Sequence, residues 1–221
     1  MALLRRARLR FLPNGMSMNL RLVAGLLLSL CVSVCATAPV QAKHAPVSTA
    51  PGSYEDWGPD IDAVEIARTF RLADYQRLVV EPFSTGDVAL PPSDENTYEP
   101  VRNTLGRFTT IFAQGLRETL EKPVDLAEGA SGEARVLRLR GKVLLLDPGS
   151  RAKRYWGGFG AGAVRVEVRC DLVDAASGEV LLSFTQQRRS GFGGFGGDYE
   201  ELMSRTIRQI GSDATNLLKQ F

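Results

Sequence analysis

The sequence predicts an α+β fold, in which one antiparallel or mixed sheet of four to five strands carries two main helices packed on one face. Apolar and polar residues alternate over 135–146, 164–173 and 180–188, and this period of two predicts strands. Apolar residues spaced three or four positions apart over 94–121, and again after Asp198, predict two amphipathic helices. A run of strands accompanied by helices is typical of a sheet covered on a single face.

Local signals place the smaller elements before and after the long helix. Asp60 begins an acidic pattern typical of a helix N-cap, and apolar residues at 61, 64 and 67 predict a short helix. The apolar stretch Arg77–Phe83 predicts the first strand. Pro123 ends the long helix because proline cannot continue one, and a short strand is predicted over 124–127.

Each of the two main helices carries one apolar stripe. In the first helix, where Pro100 suits a first helical position, the stripe comprises Val101, Leu105, Phe108, Phe112, Leu116 and Leu120. In the terminal helix, which Asp198 caps, the stripe comprises Leu202, Ile207, Ile210, Ala214, Leu217 and Phe221. Turns between the strands are predicted at Asp147–Gly149 and at Asp174–Gly178.

The amino-terminal region has the three parts of a secretory signal. Arg21 precedes an apolar run over Leu22–Val34, and Val40–Ala42 ends in a small residue suited to cleavage. The run is shorter than the roughly 20 residues that a membrane-spanning helix needs. We therefore expect residues 1–42 to be a signal peptide that is cleaved after Ala42. The remaining protein is then expected in the periplasm.

The start codon and the mode of anchoring stay open. Met16 or Met18 would give a more usual signal length than Met1. Cys31 and Cys35 lie where a lipidated cysteine would sit, although the residues before them are bulky. The alternative to a soluble periplasmic protein is therefore a lipoprotein anchored to the outer membrane.

Proline, glycine and small residues dominate 43–60, which predicts a flexible linker, and 61–221 is predicted to be a single α+β domain. Residues 1–42 hold five arginines and no acid, so removing them changes the net charge from +2 to −3. This balance argues against nucleic acid as a partner, since proteins that bind it concentrate positive charge on the working domain.

Catalytic and cofactor signals are weak. The only histidine, His44, lies in the predicted linker, so no catalytic set or metal site can be built on a positioned histidine. Gly191, Gly193 and Gly196 match a dinucleotide fingerprint, but the further strand that would carry an acid for the ribose does not follow. Cys170 falls on the apolar face of a strand, where a free cysteine is a small core residue. We expect no enzyme activity, no cofactor and no metal.

The connection from Asp147 to Ala163 is long for a link between two strands, and loops of this length are usually functional or disordered. It belongs to a region, 131–189, with 11 basic and 6 acidic residues. We predict that it forms a partner-binding loop through Arg151, Lys153, Arg154, Tyr155, Trp156 and Phe159. The alternative is that its aromatic side chains pack under the sheet while its charges are solvated.

This segment also carries a resemblance. The residues concerned are Pro148, Gly149, Ser150, Ala152, Arg154, Tyr155, Gly158, Phe159, Gly160, Ala161 and Gly162. With the turn Asp174–Val180, they resemble the bacterial family of the domain of unknown function numbered forty-four ten, over roughly Asp74 to Phe221. The resemblance implies a fold and a location in the cell envelope, but no activity.

We therefore expect an exported envelope protein that acts as a non-catalytic binding or scaffolding module. Its partner would be an envelope protein or an anionic envelope polymer, and it would contact a membrane only if it were lipidated. The alternatives are a homo-oligomeric envelope assembly subunit and, with less support, a hydrolase acting on an envelope polymer. The oligomeric state is left open by the sequence.

Overall fold

The computed structural model describes residues 47–58, 60–127, 133–150, 162–190 and 198–221, all within the compact unit His44–Phe221. These residues form one seven-stranded mixed sheet and three α-helices, so the prediction of four to five strands and two main helices is wrong. The elements are β1 (Gly52–Glu55), β2 (Ala63–Ile66), β3 (Arg77–Val80), α1 (Tyr98–Gly106), α2 (Phe108–Thr119), β4 (Val124–Leu126), β5 (Val136–Asp147), β6 (Arg165–Asp174), β7 (Val180–Arg189) and α3 (Tyr199–Leu218).

The strand order is β1-β2-β7-β6-β5-β3-β4. β3 runs parallel to both β4 and β5, and the other neighbouring pairs are antiparallel. The central strands β5, β6 and β7 coincide with the predicted ones to within about a residue at each end. None of the helices in the described part of the chain combines the length and the apolar character needed to cross a membrane.

Two strands stand where the sequence predicted other structure. The expected short helix after Asp60 is strand β2, in which Val64 and Ile66 are buried and Glu65 is exposed. This period of two overrides the capping signal. β1 lies inside the predicted linker, and the neighbouring Trp57 is buried and donates from Nε1 to the Ser48 carbonyl at 3.0 Å. The folded region therefore begins before residue 61.

The predicted long helix is two helices, α1 and α2, separated at Arg107 (φ −109°, ψ 3°). Gly106 ends α1, and a glycine inside a helix costs about 1 kcal/mol relative to alanine. The apolar stripe nevertheless continues across the break, because Val101 and Phe108 are both buried. The periodicity predicted the buried face but not the interruption.

The core lies between the helices and one face of the sheet. Alternate residues of β6, from Val166 to Leu172, are fully buried in the same cluster as α2 and α3. Cys170 is among them, which confirms its predicted burial, and this burial raises the pKa of its thiol well above the usual value. The opposite face of the sheet, the open face, carries the charged residues that alternate with them, such as Glu167 and Arg169.

Helices α2 and α3 touch backbone to backbone at two glycines. A Cβ on Gly115 would lie 2.0 Å from the Arg208 carbonyl oxygen, and one on Gly211 would lie 2.2 Å from the Phe112 carbonyl oxygen. No side chain can be accommodated at either position without separating the helices. We call this contact the glycine crossing.

A third glycine sets the distance between α2 and the sheet. The Phe83 ring occupies the space over Gly141 of β5, where a Cβ would lie 2.1 Å from the ring. From there it contacts Phe108 and Phe112 of α2, with ring centroids 5.1 and 4.9 Å away. Its backbone N–H donates to Thr109 Oγ1 at 2.9 Å, so the turn after β3 is tied to the same helix.

The end of the chain closes the other side of the core. The Phe221 ring stacks on Phe70 at 4.7 Å and on Trp57 at 6.3 Å, with interplanar angles of 8° and 7°. Its carbonyl accepts from the Leu72 N–H at 3.0 Å. This stack joins the segment around Trp57 to the residues after α3, which explains why that segment is ordered despite its glycines and prolines.

We predict that Gly115→Ala and Gly211→Ala each lower the free energy of unfolding by about 2 kcal/mol. Overpacking costs about 1–3 kcal/mol, and the opposing atoms are backbone atoms that cannot rotate away. Gly106→Ala is the matched control, because a Cβ there meets nothing within 4 Å. Urea denaturation followed by circular dichroism should show Gly106→Ala unchanged or up to about 1 kcal/mol more stable. Equal effects at all three glycines would contradict the glycine crossing.

Candidate binding site at one end of the sheet

All six residues of the predicted partner-binding loop lie outside the residues that the structure describes: Arg151, Lys153, Arg154, Tyr155, Trp156 and Phe159. The same holds for Cys31, Cys35 and the glycine segment 191–197. The structure does describe both ends of the two glycine-rich segments, 151–161 and 191–197. We call the place where β5 ends, β6 begins and β7 ends the loop end of the sheet.

The first segment leaves and re-enters the sheet through a closed neck. The Ser150 N–H donates to the Gly162 carbonyl at 3.1 Å, and the Gly149 N–H donates to Asp147 Oδ1 at 2.8 Å. Gly149 has a φ of +68°, and a Cβ there would lie 2.2 Å from the Gly162 oxygen. Only glycine permits both this backbone angle and this close approach. The ends of the segment are therefore fixed by backbone contacts.

The second segment departs from the same place. Ser190, which follows β7, donates its N–H to the Val164 carbonyl at 2.9 Å, and its Oγ accepts from the Val164 N–H at 3.0 Å. Val164 lies just before β6 and two residues after the neck at Gly162. At the far end, Asp198 caps α3 by accepting from the Tyr199 N–H at 2.9 Å. The two glycine-rich segments therefore leave the sheet at neighbouring positions, although 28 residues lie between Gly162 and Gly191 in the sequence.

A row of charged residues crosses the open face next to this neck. Asp147 of β5 pairs in register with Arg165 of β6, which pairs with Arg189 of β7. Arg165 donates to Asp147 Oδ2 from Nε at 3.0 Å and from Nη2 at 2.6 Å. Both arginines are exposed. The row thus holds two guanidinium groups and one carboxylate.

On the helix-covered face at this end of β7, polar side chains contact α3. Arg188 Nη1 forms an ion pair with Asp213 of α3 and lies 3.6 Å from Asp60 Oδ1. Gln186 Nε2 donates to Asp213 Oδ2 at 2.5 Å. Burial raises the pKa of Asp213. Arg188 and Gln186 lower this pKa, but they do not cancel the effect of burial. These contacts fix α3 to β7 and leave Arg189 on the opposite face.

The sequence predicted the loop but not this end of the sheet as a whole. That the two glycine-rich segments leave the sheet at neighbouring positions, and that Arg165 faces Arg189, depends on the register of β6 and β7. Within the described ranges, no group of three or more histidine, cysteine or carboxylate side chains is arranged to hold a metal ion. The chemistry that the site offers is cationic hydrogen bonding from exposed guanidinium groups.

Comparisons with known proteins agree with the resemblance seen in the sequence. Residues 79–194 match the family model of a domain of unknown function, DUF4410. No curated protein matches the chain.

Three solved structures are similar to this chain. The PelC dodecamer from Paraburkholderia phytofirmans is 21% identical, with a TM-score of 0.42 over 67% of this chain and 96% of that one. Protein XCC0632 from Xanthomonas campestris is 16% identical, with a TM-score of 0.35 over 70% and 90%. Lipoprotein GNA1162 from Neisseria meningitidis is 17% identical, with a TM-score of 0.31 over 61% and 96%.

We predict that Gly149→Ala destabilises the protein more than Gly178→Ala does. Both glycines have positive φ (+68° and +75°), so each substitution costs about 1–2 kcal/mol of backbone strain. Only at Gly149 must the Gly162 carbonyl also move, because a Cβ on Gly178 meets nothing within 4 Å. The difference in the free energy of unfolding should be about 1–3 kcal/mol. Equal losses in urea denaturation would show that the neck is not closed.

Proposed function

This chain belongs to the DUF4410 family, and from that premise we propose that it is an exported cell-envelope protein that binds a partner at the loop end without catalysing a reaction. The observation that carries the proposal is the closed neck between Ser150 and Gly162. It presents the 11 residues 151–161, with their three cations and three aromatic side chains, from fixed ends.

The neck matters because fixing the ends of a loop reduces its conformational entropy before a partner binds. Binding then costs less entropy. Mixed cationic and aromatic side chains suit an anionic or amphipathic partner surface. A segment whose only role was to connect β5 to β6 would need far fewer residues, since hairpin loops usually have two to five. We assign the binding role to Arg151, Lys153, Arg154, Tyr155, Trp156 and Phe159.

We place the protein in the periplasm, with the signal removed after Ala42. The Arg-flanked apolar run and the small residues at Val40 and Ala42 support this location. Lipid anchoring at Cys31 or Cys35 is the alternative. Intact mass of the protein purified from the envelope separates the two, because a soluble form begins at Lys43 and an anchored form carries acyl chains on a cysteine.

Binding at the loop end is favoured over assembly through sheet edges. The two edge strands are short, with four residues in β1 and three in β4. The outer strand β1 also carries the exposed carboxylate of Glu55. Short, charged edges are typical of sheets that avoid pairing with another chain.

The test is capture of envelope components by immobilised protein, with loop variants measured against a matched control. We predict that Arg154→Ala and Trp156→Ala each weaken binding by about two- to fivefold, the effect expected for a partly exposed cation–aromatic contact. The Arg154→Ala effect should shrink as salt rises, because exposed charges are screened beyond about 10 Å at 0.1 M. Arg102→Ala, which removes an exposed arginine from α1, should change nothing.

The free energy of unfolding of each variant decides between binding and packing. If Trp156→Ala unfolds the protein while Arg154→Ala leaves capture unchanged, the aromatic residues pack under the sheet and the proposed function is wrong. If both variants stay folded and both capture as well as the unaltered protein, the partner binds elsewhere.

A further inference from the structure

Two like charges face each other at the loop end of the sheet. Arg165 and Arg189 are direct cross-strand partners on the open face. Like charges placed opposite each other destabilise a sheet. Because Ser190 donates to the Val164 carbonyl, the next pair inward is of the type without mutual hydrogen bonds, whose Cα atoms lie about 4.5 Å apart. This is the closer of the two kinds of antiparallel pair.

Only one of the two arginines is neutralised. Arg165 forms an ion pair with Asp147, whereas Arg189 has no ion pair or hydrogen bond with any described residue. The segments 151–161 and 191–197, which both leave the sheet beside this pair, contain no aspartate or glutamate. Neither segment can therefore supply the missing carboxylate.

Two cations of β5 on the open face are matched by carboxylates. Arg140 contacts Glu81 at 3.2 Å, and Lys142 contacts Asp87 at 2.5 Å. Arg169, in the middle of β6, is exposed and likewise has no partner among the described residues. It pairs in register with Thr185 of β7 and with Lys142 of β5, whose ammonium group is held by Asp87. Arg165 and Arg189 are the pair of arginines that lies where the glycine-rich segments leave the sheet.

We propose that Arg165 and Arg189 bind an oxyanion of a soluble anionic polymer, with carboxylate or phosphate groups, at the loop end of the sheet. The inference rests on the proposed function and names the partner's chemistry. Guanidinium groups hold carboxylates and phosphates through paired N–H donors, and two of them side by side can bind successive charges of one chain. An oxyanion placed there removes the repulsion between the two arginines.

A polymer fits better than an anionic membrane surface. The chain after residue 42 has a net charge of −3, and Asp147 and Glu167 lie on the same face within one row of the arginine pair. Docking on a broad negative surface would place these carboxylates, and the other acidic residues of the domain, close to negative charges of the membrane. A narrow polymer can contact the two arginines while avoiding them.

The experiment measures binding of polygalacturonate and of inorganic polyphosphate by titration calorimetry at 50 mM and 200 mM salt. Arg189→Gln should weaken binding about tenfold, which is typical of losing a hydrogen bond to a charged group. The matched control is Arg169→Gln, which removes the same charge from the same face and should weaken binding less than about twofold. Neutral dextran should not bind, and vesicles containing phosphatidylglycerol should bind more weakly than either polymer.

A second readout separates binding from folding. Because Arg189→Gln removes a repulsion, it should leave the free energy of unfolding unchanged or raise it, whereas a merely structural arginine would lower it on removal. Equal weakening by Arg189→Gln and Arg169→Gln, no binding of either polymer, or preference for the vesicles would each overturn the inference.

The outcomes also distinguish this inference from the proposed function. If capture depends on Arg154 and Trp156 but Arg189→Gln behaves like Arg169→Gln, the loop binds a partner and only the oxyanion site is wrong. If polymer binding depends on Arg189 while the loop variants capture normally, the proposed loop function fails and the sheet site stands.

Discussion

The glycine crossing is the contact on which the rest of the structure depends. Because Gly115 and Gly211 bring the backbones of α2 and α3 together, the two helices act as one layer against the sheet. Phe83 then fixes this layer to β5 by filling the space over Gly141. The position of α3 in turn sets where the segment 191–197 ends, since Asp198 begins the helix.

The sheet separates a packed face from a charged face. One face is covered by the helices, and Arg188 and Asp213 bind β7 to α3 on that side. The other face carries charged side chains, of which Arg165, Arg169 and Arg189 are exposed. Since β5, β6 and β7 are adjacent, the two glycine-rich segments emerge at one end, beside the cross-strand pair of Arg165 and Arg189. A rigid scaffold with a conformationally permissive rim is a common way to build a binding surface.

The limits of sequence prediction follow from particular residues. Alternation predicted β5, β6 and β7 and the burial of Cys170, because one side of each strand faces the core. The register could not be predicted, since a bulge between Leu172 and Val173 shifts β6 against β7 by one residue. A register counted without the bulge, from the turn between β6 and β7, would place Arg165 opposite Arg188. In the structure Arg188 faces α3, and Arg165 is opposite Arg189. Trp57 was the overlooked sign of order in the predicted linker, because a tryptophan is costly to leave exposed.

The most direct test of this account is hydrogen exchange at the two serine amides that close the loop end. The amides of Ser150 and Ser190 donate to the carbonyls of Gly162 and Val164. We predict that both exchange slowly, within about a factor of ten of the central amides of β6, because opening them requires the sheet end to separate. If both exchange at the rate of an unstructured peptide while the β6 amides stay protected, the segments are not held at their ends and the account is wrong.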